Sequence, residues 1–386
     1  MCPAPSSHAT ARILHTADWQ LGMTRHFLSD EDQGRFAQAR IDVVRALARL
    51  AGAEGCAAMV VCGDVFESSQ VDRRTILRAL DALAGSPVPV FLLPGNHDPL
   101  DAGSVYRARA FLEHRPPGVH VLEDARPVTV RPGLELVGAP WTSKRPLRDL
   151  VAETTAALAP APPGVLRVCL AHAGVAALGG KQDDAAALDV PAAERALADG
   201  RIHYLALGDR HSTTAVGATG RIWYAGAPEP TDYDERDAGN ALVVELSPEG
   251  ARVTPHRVGT WRFIERERVD VAGEDDLGAL EAWLATLEAK ERTIVKLRLH
   301  GALPLRLRAR LETALELARQ RLAGLELRDA QLATVPDDAD FADLQLAGFA
   351  RAAADGLRAA ARGAGDLATT AQDALALLVR LTGRAA

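Results

Sequence analysis

Five times along this chain an apolar run stops abruptly, and a carboxylate, amide or imidazole follows within a few residues. Arg12-Ile13-Leu14-His15 gives way to Thr16-Ala17-Asp18-Trp19-Gln20, and Ala57 to Cys62 ends in Gly63-Asp64. Val88 to Leu93 ends in Pro94-Gly95-Asn96-His97-Asp98, Val165 to Leu170 in Ala171-His172-Ala173-Gly174, and Tyr204 to Leu207 in Gly208-Asp209-Arg210-His211. Short runs of strand formers bounded by Gly or Pro read as buried strands. Helical spacing separates the first three: Phe36, Ala39, Val43, Leu47 and Leu50, then Ile76, Leu77, Leu80 and Leu83. Strand, helix, strand, helix, strand predicts an α/β fold with parallel strands. In an open sheet of that kind the carboxyl ends of the strands line one edge, so the polar residues after them are expected to converge there.

That inventory of carboxylates, amides and imidazoles suits divalent cations. Carboxylate and amide oxygens satisfy hard ions, imidazoles tolerate borderline ones, and one carboxylate can bridge two. Two ions about 3.5–4 Å apart polarise a phosphoryl oxygen, acidify a bridging water and stabilise a leaving oxygen. The chemistry indicated is hydrolysis of a phosphoester. The formal net charge of −7 rules out indiscriminate attraction to nucleic acid, so phosphates must be held by bound cations, a local basic strip or a partner.

A length of 386 residues predicts more than one domain. Strands at Arg221 to Tyr224, Ala241 to Leu246 and Arg252 to Val258 predict a second, more antiparallel sheet, and a first domain covering 1–267 closes near Glu267. Val295, Leu297 and Leu299 alternate with Lys296, Arg298 and His300, a half-buried strand with a basic outer face. Pro304 opens a helix to about Leu322, and a shorter strand follows at Leu325 and Leu327; these belong to a small α+β domain over 268–335. Pro336-Asp337-Asp338 breaks the chain before two helices in 336–386, the last with Leu375, Leu378 and Val379 on one stripe, broadened by Leu377 and Leu381. No apolar run approaches a membrane span, Met1 to Thr10 has no apolar signal core, and the four cysteines lack metal-type pairing. A reduced, cytoplasmic protein is the expectation.

In that order, Asp18-x-Gln20, Gly63-Asp64, Gly95-Asn96-His97-Asp98, His172 and Gly208-Asp209-x-His211 resemble the calcineurin-like metallophosphoesterases. The run Leu14 to Gly22 and the later Trp223-Tyr224-Ala225-Gly226-Ala227-Pro228-Glu229-Pro230 are similar to their SbcD-type DNA-repair exonuclease branch. The resemblance covers about residues 12 to 262 and implies a two-sheet sandwich flanked by helices, two divalent ions (Mn²⁺ first, Mg²⁺ or Fe²⁺ as alternatives) and exo- or endonucleolytic cleavage of DNA. It implies Asp18 and His211 on one ion, Asn96 and His172 on the other, and Asp64 between them. His97 takes the place of the general acid that meets the leaving oxygen, with Asp98 orienting its ring. Gln20 and Asp209 stand where the family usually has histidine; both keep an oxygen donor, which favours a hard ion such as Mn²⁺ over Zn²⁺.

The layout implies further that 268–335 is a capping domain and that the C-terminal helices dock on a coiled-coil ATPase of the SbcC type. Pairing of two copies stays open, and no membrane contact is expected. Tyr106 and Arg107, after the catalytic turn, and Lys296 and Arg298, on the later strand, are candidate DNA contacts. His15 reads as a core or supporting histidine and Trp19 as a packing residue. Two rival readings stand beside the nuclease: a phosphodiesterase for small nucleotides, and a catalytically weak scaffold that binds DNA ends.

Overall fold

The computed structural model describes residues 10–179, 185–335, 348–361, 363 and 365–383. Its contacts divide the chain into two compact units. The first comprises the residues up to His26 and Asp30–Trp261; the second comprises Phe27–Ser29 and the residues from Arg262 onward.

The first unit is built from two six-stranded sheets. One contains β1 (Ala11–Thr16), β2 (Ala58–Cys62), β3 (Val90–Leu93) and β4 (Val119–Val121), all parallel, and continues beyond β1 with β11 (Asn240–Leu246) and β12 (Ala251–Arg257). The other contains β6 (Leu134–Ala139), β7 (Leu166–His172), β8 (Tyr204–Gly208) and β10 (Ile222–Tyr224), also parallel. Its edges are the short antiparallel strands β5 (Val128–Arg131) and β9 (Thr214–Val216). The expected strands at Ala241 to Leu246 and Arg252 to Val258 therefore extend the first sheet and do not contribute to a second one. The reason lies in β1, whose side chains are almost all buried: such a strand cannot remain an open edge, and β11 pairs with it from Ala11 to His15.

The central strands of both sheets are buried on both faces, which is why they read as near-continuous apolar runs. Ile13, Val60, Leu93, Leu136, Leu170 and Ala206 fill the layer between the sheets. Outside the first sheet lie α1 (Asp30–Ala53), α2 (Arg73–Ala84) and α3 (Arg109–His114), packed on Leu14, Met59 and Leu92. Outside the second lie α4 (Leu150–Ala156) and α5 (Val190–Ala198), packed on Val137, Cys169 and Leu205. His15 ties the layers together: one ring nitrogen lies 3.1 Å from the Tyr204 hydroxyl and the other 3.1 Å from the Leu207 carbonyl. Cys56, Cys62 and Cys169 are free and buried, and Cys2 lies outside the described residues.

The second unit has one three-stranded parallel sheet, β13 (Arg262–Val271), β14 (Thr293–Leu303) and β15 (Gly324–Thr334), with crossover helices α6 (Glu274–Thr286) and α7 (Leu305–Arg319). Glu267 lies inside β13, and β15 extends to eleven residues, well past Leu327. Leu277, Leu297, Leu311 and Leu322 belong to its core. Helices α8 (Gly348–Ala361) and α9 (Asp366–Gly383) follow. Pro336-Asp337-Asp338 and the side chains of Val379 and Leu381 lie outside the described residues; Leu375 is buried and Leu377 exposed. Among the described residues no helix is long and apolar enough to cross a membrane.

Candidate metal centre

Asp18, Asp64 and Asn96 follow β1, β2 and β3 of one sheet, whereas His172 and Asp209 end or follow β7 and β8 of the other. The residues gather where the carboxyl ends of two facing sheets approach, and not along a single edge as the sequence suggested. Three glycines permit the approach. A Cβ on Gly208 would lie 1.9 Å from the Cys62 carbonyl oxygen, one on Gly63 2.2 Å from His172 Nδ1, and one on Gly95 2.2 Å from Asp64 Oδ1.

The turns themselves are strained. Asp18, Gln20, Asp64 and Asp209 all have left-handed backbone, with φ of 54°, 49°, 51° and 96°. For residues with a side chain this costs on the order of 1–3 kcal/mol each and persists only where the surroundings impose it. Here backbone bonds do so: Asp18 N–H donates to the Gly63 carbonyl at 3.1 Å and Gln20 N–H to the Asp64 carbonyl at 3.0 Å. Asp209 N–H in turn donates to both carboxylate oxygens of Asp18, each at 3.2 Å.

Asp18, Asp64 and His172, all buried, offer ligand atoms within 4.8 Å of one another. His172 Nε2 lies 3.5 Å from Asp64 Oδ1, 3.7 Å from Asp209 Oδ1 and 2.7 Å from Asn96 Oδ1. Its Nδ1 is engaged by the Cys62 carbonyl at 2.9 Å, which leaves Nε2, hydrogen-bonded to the Asn96 amide oxygen, as the nitrogen that faces the other ligand-type groups. A divalent ion bound there would take the place of the proton between Nε2 and Asn96 Oδ1. On the other side His211 Nε2 lies 3.8 Å from Asp18 Oδ1, while its Nδ1 is held by Glu235 Oε1 at 2.6 Å and Thr231 Oγ1 at 2.8 Å. The geometry thus pairs His211 with Asp18, groups His172 with Asn96 and Asp209, and leaves Asp64 within reach of His172 and of Gln20, whose amide donates to it at 3.0 Å.

The electrostatics fit divalent ions. Burial, reinforced by Asp64 and Asp209 against the two histidines, raises Asp18 to about 7. Burial disfavours charge on His172, yet Asp64, Asp18 and Asp209 raise it to about 9; Glu235 and Asp18 do the same for His211, also to about 9, against its burial. The cluster thus draws positive charge into a desolvated pocket. Gln20 Oε1 is buried with no hydrogen-bond partner among the described residues, an unsatisfied acceptor that a bound ion would satisfy. Three carboxylates, two amide oxygens and two imidazole nitrogens therefore suit hard or borderline ions.

His97 is no part of this inner cluster. Its Nδ1 meets the Glu67 carbonyl at 2.7 Å, which leaves Nε2 facing the cavity mouth, 3.9 Å from Asp64 Oδ2. The Glu67 backbone, and not Asp98, orients the ring. Asp98 instead accepts from Gly95 N–H (2.8 Å), Phe66 N–H (3.0 Å) and the Tyr106 hydroxyl (2.7 Å), locking the turn that carries Asn96 and His97. Tyr106 is accordingly buried at 3% exposure, because its hydroxyl satisfies Asp98; it presents nothing to a phosphate. Arg107 is exposed. In the second unit, Lys296 and Arg298 both pair with Glu265, at 3.2 and 2.9 Å.

Sequence reasoning missed Glu235, which sits in the stretch Thr231-Asp232-Tyr233-Asp234-Glu235-Arg236-Asp237 among other acids. Nothing local distinguishes it; only the return of that loop to His211 does. The cavity around the cluster has a volume of about 480 Å³ and includes Gln20, His97, Asp209, His211 and Glu235 in its wall.

Residues 11–178 match the family model described as calcineurin-like phosphoesterase, a span that carries Asp18, Gln20, Asp64, Asn96, His97 and His172. The SbcD component of the nuclease SbcCD of Rhodobacter capsulatus is 28% identical, over 82% of this chain and 87% of that protein. Among solved structures, TT1561 of Thermus thermophilus aligns at 11% identity over 64% of this chain and 99% of its own, with a TM-score of 0.39. A dimetal phosphatase from Danio rerio aligns at 10% identity over 64% and 99%, with a TM-score of 0.40.

Proposed function

We propose, from the match of residues 11–178 to the calcineurin-like phosphoesterase family model, that this chain is a nuclease cleaving phosphodiester bonds in DNA. The chain is a metal-dependent phosphoester hydrolase; DNA as substrate, Mn²⁺ as the ion, a cytoplasmic DNA-repair role and an SbcC-type ATPase as partner are the finer reading. One observation carries it. Asp18, Asp64 and His172 come from three strands in two sheets, yet their ligand atoms lie within 4.8 Å of one another.

Asp18, Gln20 and His211 would hold one ion, Asn96, His172 and Asp209 the other, and Asp64 both. Divalent ions bound there supply phosphoryl polarisation and an acidified water. The remaining work falls to the chain. The Cys62 carbonyl and Glu235 keep both ligand imidazoles in the tautomer that turns Nε2 inward. Asp98 holds the turn after β3 rigid, so the phosphate meets Asn96 and His97 in fixed positions. His97, with Nδ1–H on the Glu67 carbonyl, carries the exchangeable proton on Nε2 and delivers it to the departing oxygen. Helices α8 and α9, which expose Phe349, Leu367 and Leu377, are the proposed docking element for the ATPase.

The test uses protein purified without chelator, supplied with Mn²⁺ and offered labelled duplex, single-stranded DNA and a small generic phosphodiester. Ion-dependent DNA cleavage is expected, reduced about 10²-fold or more in His97→Ala with ion content retained. Turnover of the small ester alone would favour a nucleotide phosphodiesterase. Retention of DNA without hydrolysis of anything would favour a scaffold. Tightly held stoichiometric Zn²⁺ would overturn the preference for a hard ion.

A further inference from the structure

The chain leaves β6 at Trp141, which is fastened to the metal centre from three sides. Its N–H donates to the Pro94 carbonyl at 3.2 Å, its carbonyl accepts from Leu100 N–H at 2.8 Å, and its indole Nε1–H donates to the His172 carbonyl at 2.5 Å. Its ring also meets the His172 ring edge-on at 6.0 Å between centroids. The residues that follow, Thr142-Ser143-Lys144-Arg145-Pro146-Leu147-Arg148, therefore start from a rigid post beside Asn96 and His97. They contribute little to packing: Lys144 and Arg145 are exposed with no acidic partner among the described residues, and Leu147 is 84% exposed. Arg148 pairs with Glu153 at 3.1 Å. Arg107, exposed and likewise without an acidic partner among the described residues, ends the segment that Leu100 joins to Trp141.

The wall of the cavity has the other sign. Asp209, Asp232, Asp234 and Glu235 line the cavity there, and its two arginines are engaged. Arg25 bonds the Thr231 carbonyl and reaches Asp232 at 4.0 Å, while Arg210 bonds Thr214 Oγ1 at 3.0 Å and the Leu178 carbonyl at 2.7 Å. Uncompensated cations thus lie in the loop that follows Trp141 and at Arg107, outside the set of residues that line the cavity. A mononucleotide seated in the cavity would leave them without a counter-charge; a strand running out of it would not. An apolar tip between cations suits a base whose backbone lies on either side.

We infer that loop 142–149 together with Arg107 grips the sugar-phosphate backbone of a nucleic-acid strand beyond the scissile bond, with Leu147 packed against an unstacked base. This rests on the nuclease reading and adds the surface and the polymeric substrate it requires. On a chain of net charge −7, the strip concentrates attraction where cleavage takes place.

The test compares the full-length wild type, loaded with Mn²⁺, with the triple variant Arg107→Glu, Lys144→Glu, Arg145→Glu and with Leu147→Ala. A labelled single-stranded oligonucleotide and bis(4-nitrophenyl) phosphate are the substrates. In the triple variant the ratio of oligonucleotide to small-ester turnover should fall at least tenfold. The slope of log affinity against log salt should become shallower by about 2, at roughly 0.7 for each phosphate no longer neutralised. Leu147→Ala should weaken binding several-fold and leave that slope intact. A triple glutamine variant, which removes charge without reversing it, should show the same slope change and guards against misfolding of the first. An unaltered ratio and slope would overturn the grip while leaving the nuclease standing. A wild type that turns over the small ester but retains no oligonucleotide would overturn both. Equal loss on both substrates would place the loop's effect on the metal centre and overturn its role as a grip.

Discussion

At the scale of single residues, the metal centre depends on groups that hold ligands as much as on the ligands. Glu235 turns His211 Nε2 toward Asp18 through a 2.6 Å contact at Nδ1. Replacing such a partner commonly weakens ion binding about 10–100-fold. Glu235→Gln is expected to lower the affinity for Mn²⁺ by that order in a calorimetric titration, with circular dichroism unchanged. The candidate ligands could be picked out because each lies at or just after the end of a strand, and Asp64 or Asn96 after Gly has a local signature. Glu235 was not, since its role exists only through a contact across 24 positions of sequence. His15 gives a second test. Burial, opposed by its bond to the Leu207 carbonyl, lowers its pKa to about 3. Between pH 6.5 and about 3 the unfolded chain binds a proton that the folded one refuses, so stability falls as pH drops through that window and is unaffected above it. From pH 6.5 to 5 this amounts to about 1–2 kcal/mol, and His15→Gln should show correspondingly less acid sensitivity in urea melts.

At the scale of elements, the approach of two sheets is the decisive event. The end of β8 lies so close to β2 that a methyl at position 208 would meet the Cys62 carbonyl at 1.9 Å. Gly208→Ala should therefore push the sheets apart, cost about 1–3 kcal/mol in a denaturant titration and weaken ion binding along with stability. Helices α1 and α2 were legible because their apolar stripes have the helical period, and β1, β2, β3, β7 and β8 because burial on both faces leaves a near-continuous apolar run. Strands β5 and β9 carry no such run, being short and partly exposed edges. Strand β13, Arg262-Phe263-Ile264-Glu265-Arg266-Glu267-Arg268-Val269-Asp270-Val271, hides its identity in charge and is drawn into a sheet by β14. Sheet membership of β11 and β12 depends on which strand needs a neighbour, a property no window of sequence contains.

At the scale of the whole molecule, the charge balance and the exposed apolar side chains bear on partners. In the second unit many cations are already matched: Arg310 with Glu274 and Glu281, and Arg308 with Glu312 and Asp329, exposed pairs that solvent and salt screen. Phe349 is 87% exposed on α8 and Leu367 73% on α9. If these helices carry the ATPase, Phe349→Glu with Leu367→Glu should reduce its co-purification at least tenfold while small-ester hydrolysis continues. Retained capture would remove the helices from that role. The sequence by itself determined the buried strands β1, β2, β3, β7 and β8, their succession along the chain and the chemical kind of residue at each of their ends, because backbone periodicity and turn chemistry are local. Only the tertiary structure decided that those ends come from two sheets, that Cys62, Glu67 and Glu235 orient the imidazoles, and that Tyr106 serves Asp98 and not a substrate. Hydrogen bonds and close approaches between distant segments have no local signature, since they form only once the layers between them have packed.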